Sequence, residues 1–207
     1  MEKIDIIKQW FWRIFAILLF VAVLLGVYEQ NWFNVMAGMI AIAIIVIPLL
    51  LERTFKVNFP SEIELAFLIF IYASLYLGEI NTFYEKFWWW DLFLHSTSGI
   101  IFAFLAFIIV YLIHADKRTT LKLSPFFLSL FAFSFALMLG VMWEIFEYLM
   151  DQTFGLNMQK SGLTDTMWDL MVNMLGALCM AIYSYRYQKK QKIPLQRLEK
   201  WLKRKYS

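Results

Sequence analysis

The sequence predicts an all-α integral membrane protein with six transmembrane helices and both termini in the cytoplasm. Three observations carry that reading. Of the 207 residues, 61% are hydrophobic. The apolar residues gather into runs long enough to cross a bilayer. The basic residues fall almost entirely on one side of the zigzag those runs describe. A hydrocarbon core about 30 Å thick needs about 20 helical residues rising about 1.5 Å each. The runs cover about 10–28, 33–51, 62–80, 91–113, 125–150 and 166–187. Residues 1–187 are therefore expected to form a single six-helix domain, with no room for a folded soluble one.

The first run, Phe11 to Val27, follows basic residues as a signal peptide would. No small-x-small cleavage site follows it, so it is read as a retained first span. Pro48 falls near the end of span two, where it is positioned to kink the helix. Pro60 precedes span three, and Pro125 opens span five, where a missing N–H costs nothing. The lone cysteine, Cys179, lies in a span and cannot close an internal disulfide.

Direction follows from charge. The N-terminal tail, the loops after spans two and four, and the C-terminal tail together carry 17 of the 19 Lys and Arg residues, leaving Lys86 and Lys160 on the other side. The positive-inside rule then puts both termini in the cytoplasm. Trp32 and Trp88 to Trp90 fall at the outer interface, and Trp10, Trp12, Tyr185 and Tyr187 at the inner one, as amphipathic rings do. Residues 188–207 form a basic tail in which Leu195, Leu198, Trp201 and Leu202 recur at helical intervals after Pro194. This is the pattern of a short amphipathic helix on an anionic leaflet, so membrane lipids are an expected partner. No basic domain is present that would bind nucleic acid.

The residues that call for a function are Glu79, Asp91, His95, Glu144, Glu147, Asp151, Asp165, Asp169 and Asn173. All lie near the outer ends of spans three to six. An Asp at the centre of a span costs about 2.5–3.5 kcal/mol on insertion scales. Asp91, His95 and Gly99 are spaced i, i+4, i+8; Glu144, Glu147 and Asp151 are i, i+3, i+7; Asp165, Asp169 and Asn173 are i, i+4, i+8. Each set stacks on one side of its helix. Ser96, Ser98, Gly99, Gly140 and Gly176 would let the helices approach closely there.

Within the spans no Lys or Arg balances these acids; the nearest are Lys86 and Lys160, both in loops. Clustered carboxylates without such partners share protons, bind a cation or face water. An imidazole, several carboxylates and an amide form a hard-to-borderline ligand set. It suits a divalent metal ion such as zinc, manganese, iron, magnesium or calcium. His95, Glu144 and Asp169 are the leading metal ligands, with Asp91, Asp165 and Asn173 also in the set and Asp151 lining it. Asp91 and Asp165 also read as helix N-caps, and Glu79 reads equally as a fourth wall or an ordinary span terminus. His114, beside Asp116 and Lys117, reads as a solvated loop residue.

At these residues the chain resembles the YjdF-type bacterial inner-membrane proteins. Their pattern joins D-x-x-x-H-x-x-x-G with E-x-x-E and D-T-x-W-D. Here those read Asp91 to His95 to Gly99, Glu144 to Glu147, and Asp165-Thr166-Met167-Trp168-Asp169. A looser similarity is to VanZ-like envelope proteins, whose D-x-x-x-N-x-x-G-A is matched by Asp169, Asn173, Gly176 and Ala177; Glu147 stands where that pattern has Gln. The first resemblance implies a multi-pass protein of the bacterial inner membrane, and neither implies a reaction.

The function expected from these readings is a divalent-cation-dependent envelope enzyme acting on a lipid-linked or amphiphilic substrate. Glu147 would be the general base that activates a water, and the 152–164 loop, with Gly155 and Gly162, would cover the site. The alternatives are a cation- or proton-coupled transporter, which in a chain this short would work as a homodimer, and a structural or partner-binding membrane protein. Against transport, the stretch from Ile101 to Ile113 offers almost no polar residue for a path to the cytoplasm.

Overall fold

A computed structural model describes residues 3–55, 61–115 and 123–190. Among them the chain is helical, with no strand. The helices are α1 (Lys3–Tyr28), α2 (Trp32–Phe55), α3 (Ser61–Ile71), α4 (Phe83–Lys86), α5 (Trp90–Ala115), α6 (Pro125–Phe154) and α7 (Leu163–Lys190). α3 passes without a break into a π-helical segment, Tyr72–Ile80.

Among the described residues, five helical stretches are long and apolar enough to cross a membrane: Ile4–Tyr28, Ser61–Ile80, Trp90–Val110, Pro125–Phe154 and Leu163–Lys189. At the predicted second span the apolar stretch recognised is shorter, Trp32–Val46. The helix itself runs on through Pro48 to Phe55, although most side chains beyond Val46 lie outside the described residues. α5 runs to Ala115, so His114, expected in a loop, is helical. The amphipathic helix expected after Pro194 lies outside the described residues.

The chain divides into two compact units, Met1–Trp90 and Asp91–Ser207. In the first, α1 and α2 form a hairpin. The turn uses Gln30 at φ 57, and the Asn31 side chain accepts from the Asn34 N–H at 3.1 Å to start α2. Phe15, Leu19, Ala41, Ile45, Leu68 and Ile71 make the core, with Tyr72 and Tyr76 packed on it. Lys8, expected in the tail, is part of α1 and pairs with Glu64 of α3 at 2.9 Å. A π-helix pairs each N–H with the carbonyl five residues back, as Asn81 N–H does with that of Tyr76 at 3.0 Å. Here Asn81 Nδ2 donates to the Tyr76 carbonyl at 2.7 Å, and Trp90 Nε1 to that of Ala73 at 3.2 Å.

In the second unit α5, α6 and α7 pack on one another. Ser124 caps α6 by accepting from Phe127 N–H at 3.2 Å, with Pro125 at the first helical position as expected. Ala103, Ala136, Ala177 and Met180 fill the interior of this unit, flanked by Phe102, Phe104 and Phe133. Contact is closest at glycine. A Cβ on Gly99 would collide with the Asn173 carbonyl oxygen, and one on Gly176 with that of Ser96. α5 and α7 therefore cross backbone to backbone, the small-residue packing that membrane helices use.

Candidate functional site

The helices of the second unit invert the pattern of a protein in water. Over the last turns of α6 the buried residues are Gly140, Glu144 and Glu147, whereas Trp143, Ile145, Phe146, Tyr148 and Leu149 are exposed. On α7, Asp169 and Asn173 are 1% and 0% exposed, while Trp168, Met171, Met174 and Leu175 face outward. Carboxylates inside and apolar side chains outside is what lipid requires of a helix that carries charge.

The inward faces meet. Asp91 lies in the first turn of α5, one turn before His95. His95 Nε2 faces Asp91 Oδ1 at 3.5 Å, and its Nδ1 faces Glu144 Oε1 of α6 at 3.6 Å. Asp91, His95 and Asp169 each offer one ligand atom, and these atoms lie within 4.8 Å of one another. Two ligands of one small ion, each about 2.1 Å from it, are at most about 4.2 Å apart, so the three need close only slightly to share an ion. The charges of Asp91, Asp165 and Glu144 bear on Asp169, and those of Glu144, Asp91 and Asp169 on Glu147.

Several polar atoms here are buried without a well-formed hydrogen bond: both oxygens of Glu144, Asp169 Oδ1 and Asn173 Oδ1. Thr166 sits beside Glu144, and its hydroxyl accepts from Gln159 Nε2 at 2.7 Å. A buried, unmatched oxygen is costly, typically about 1–3 kcal/mol and more when charged. The four oxygens belong to the inward, buried residues of α6 and α7.

The remaining predicted residues take distinct places. Glu147 is buried and accepts from Trp143 Nε1 at 2.7 Å. Asn173 is a strut: its Nδ2 donates to the His95 carbonyl at 3.4 Å and to Ser98 Oγ at 3.2 Å. A Cβ on Gly140 would come within 2.7 Å of Asn173 Oδ1, so glycine there lets α6 approach the Asn173 side chain without displacing it. Asp151 turns to its own loop, accepting from the N–H of Met158 at 2.7 Å and of Gln159 at 2.9 Å. Asp165, in the first turn of α7, takes the backbone N–H of Lys160. Glu79 closes the π segment in the other unit.

Lys160 was not among the residues picked out by spacing. Its Nζ lies 3.0 Å from Asp91 Oδ2. Trp143 was missed as well, although its i, i+4 spacing to Glu147 is a readable signal.

A family model described as "Predicted membrane protein (DUF2238)" matches residues 10–190, in agreement with the YjdF-type resemblance. An uncharacterized protein of Thermotoga maritima is 27% identical over 139 residues, covering 67% of this chain and 70% of the relative. No solved structure matches the chain.

Proposed function

The chain belongs to the DUF2238 family of predicted membrane proteins, and for the site it carries we propose a divalent-cation-dependent enzyme that acts on a lipid-linked or amphiphilic substrate. One observation carries the reading: the convergence of Asp91, His95 and Asp169, with buried carboxylate oxygens that lack a well-formed hydrogen bond on Glu144 and Asp169. Three protein ligands leave positions open for water or substrate, as catalytic metal sites do. Two carboxylates and an imidazole suit zinc, manganese, iron, magnesium or calcium.

Each neighbour then has a role. Glu144 faces the far nitrogen of His95, the position from which a carboxylate orients a metal-binding imidazole. This moves Glu144 from the ligand shell, where spacing alone put it, to the support behind it. Glu147 is the general base, held by Trp143, and takes the proton of a water as that water attacks. A bound cation would act as a Lewis acid on the reacting oxygen.

The architecture proposed with this site is six spans, with both termini in the cytoplasm of a bacterium and the site at the outer face of its inner membrane. Its support is the placement of 17 of 19 basic residues on one side and the length of α2, which at 24 residues reaches about 36 Å. A coupled transporter fits less well. Ala103, Ala136, Ala177 and Met180 pack the interior of the unit, where a transport path would need polar groups.

Elemental analysis of protein purified from membranes tests the proposal. Wild type should carry a divalent ion in a fixed ratio to chain, and Asp169→Asn should lose it. Equal metal content in the two would contradict the assignment.

A further inference from the structure

The connection from Gly155 to Gly162 returns one side chain to the site. Both its glycines sit in the left-handed region, at φ 65 and 64. Asp151 clamps it from one side through the N–H groups of Met158 and Gln159. Asp165 holds the Lys160 N–H, and Thr166 the Gln159 side chain, from the other. Between these clamps stands Lys160. Its ammonium donates to Asp91 Oδ2 at 3.0 Å, and its charge also bears on His95, Asp165 and Asp169. The second oxygen of Asp91, Oδ1, faces His95 Nε2 at 3.5 Å, long for a hydrogen bond. The two oxygens of one carboxylate are thus assigned different partners, Oδ2 to the loop and Oδ1 to the imidazole.

We propose, on the footing of the cation reading above, that Lys160 is a positioning residue that sets which ion the site takes. By holding Oδ2 it leaves Asp91 one oxygen to give, and so favours a small transition ion (manganese, iron or zinc) over calcium. Calcium gathers about six to eight oxygens and commonly takes a carboxylate through both of its own. Asp91 could bind that way only by releasing the ammonium. His95 adds a nitrogen donor, which suits transition ions and which calcium sites do not use. Asp169 brings the third donor of the trio; it is 1% exposed, and its Oδ1 has no well-formed hydrogen bond. The ammonium's charge has a separate effect. It repels every divalent ion alike, so it changes all affinities together and leaves their ratio alone. Only the ratio of two ions reports how the carboxylate is held.

The test uses full-length protein in phosphatidylcholine nanodiscs, titrated separately with Mn²⁺ and Ca²⁺ and read by melting temperature. Wild type should bind Mn²⁺ about a hundredfold more tightly than Ca²⁺. Lys160→Met keeps the apolar stem and frees Oδ2. It should narrow that ratio about tenfold, chiefly by binding Ca²⁺ better. Lys160→Arg can still hold Oδ2 through its guanidinium and should keep the wild-type ratio. Melting without added ion checks that the variants fold, and the wild-type ratio tests the proposal without any variant. Failure of wild type to bind either ion would overturn the cation reading and this inference with it. Wild type that binds Ca²⁺ as tightly as Mn²⁺, or a Lys160→Met variant in which both affinities move by the same factor, would overturn this inference alone.

Discussion

His95 and Glu144 face each other across α5 and α6 at 3.6 Å, Nδ1 to Oε1, and each is more than nine-tenths buried. The contact is too long for a hydrogen bond of ordinary strength, yet Glu144 has no better-formed one. An imidazole with a carboxylate beside each nitrogen is poised to bind a cation through one nitrogen and to be steadied through the other.

Glu144→Gln should therefore keep the fold and keep a metal, bound more weakly. Loss of a carboxylate that orients a metal-binding His typically costs about 10–100-fold in affinity. Titration of purified protein with Mn²⁺ measures it. Complete loss of metal would make Glu144 a ligand, and unchanged affinity would remove it from the site.

Glu147→Gln should separate chemistry from binding. Gln keeps the shape and an oxygen for Trp143 Nε1 but cannot take a proton. Metal content and melting temperature should match wild type, while turnover of an identified substrate should fall by about 10²–10⁴-fold. A variant that turns over normally would rule out Glu147 as the base.

Gly99→Ala should destabilise, against the usual sign. In a helix interior Ala is better than Gly by about 1 kcal/mol. At Gly99 the added Cβ meets the Asn173 carbonyl oxygen and lies 3.0 Å from the Ala177 nitrogen, so α5 and α7 must part, at about 1–3 kcal/mol. Thermal melting in detergent reads the sign directly, and a stabilised variant would show that the helices do not cross there.

Orientation is testable by labelling. In a Cys179→Ala background, a cysteine at residue 86 or 160 should react with an impermeant reagent on intact cells, and one at 118 or 190 should not. The reverse pattern would put the site on the cytoplasmic side and end the envelope-enzyme reading.

Much of this was legible in the sequence because lipid makes polarity informative. Asp169 and Asn173, one turn apart among apolar neighbours, could only face inward, and they do. The same logic paired Glu144 with Glu147. Lys160 was hidden because its reach depends on loop geometry: two positive-φ glycines and the Asp151 clamp aim it at Asp91, and no periodicity encodes that. The π segment was hidden because a change of hydrogen-bond register leaves the apolar pattern of Tyr72 to Ile80 intact. The pairing of Lys8 with Glu64 was hidden because the two lie 56 positions apart in sequence.

The most direct measurement is the melting temperature of the purified protein with and without divalent ion, in wild type and in His95→Ala, Asp91→Asn and Asp169→Asn. An ion bound only by the folded state stabilises it by about 2.7 kcal/mol at a hundredfold excess over Kd. Wild type should melt higher with the right ion and lower after chelation. Each variant should lose that response, and a double variant should lose little more than a single one, since all three act through one ion. Variants that are less stable yet respond to ion and chelator as wild type does would contradict the account, leaving these residues as struts between helices.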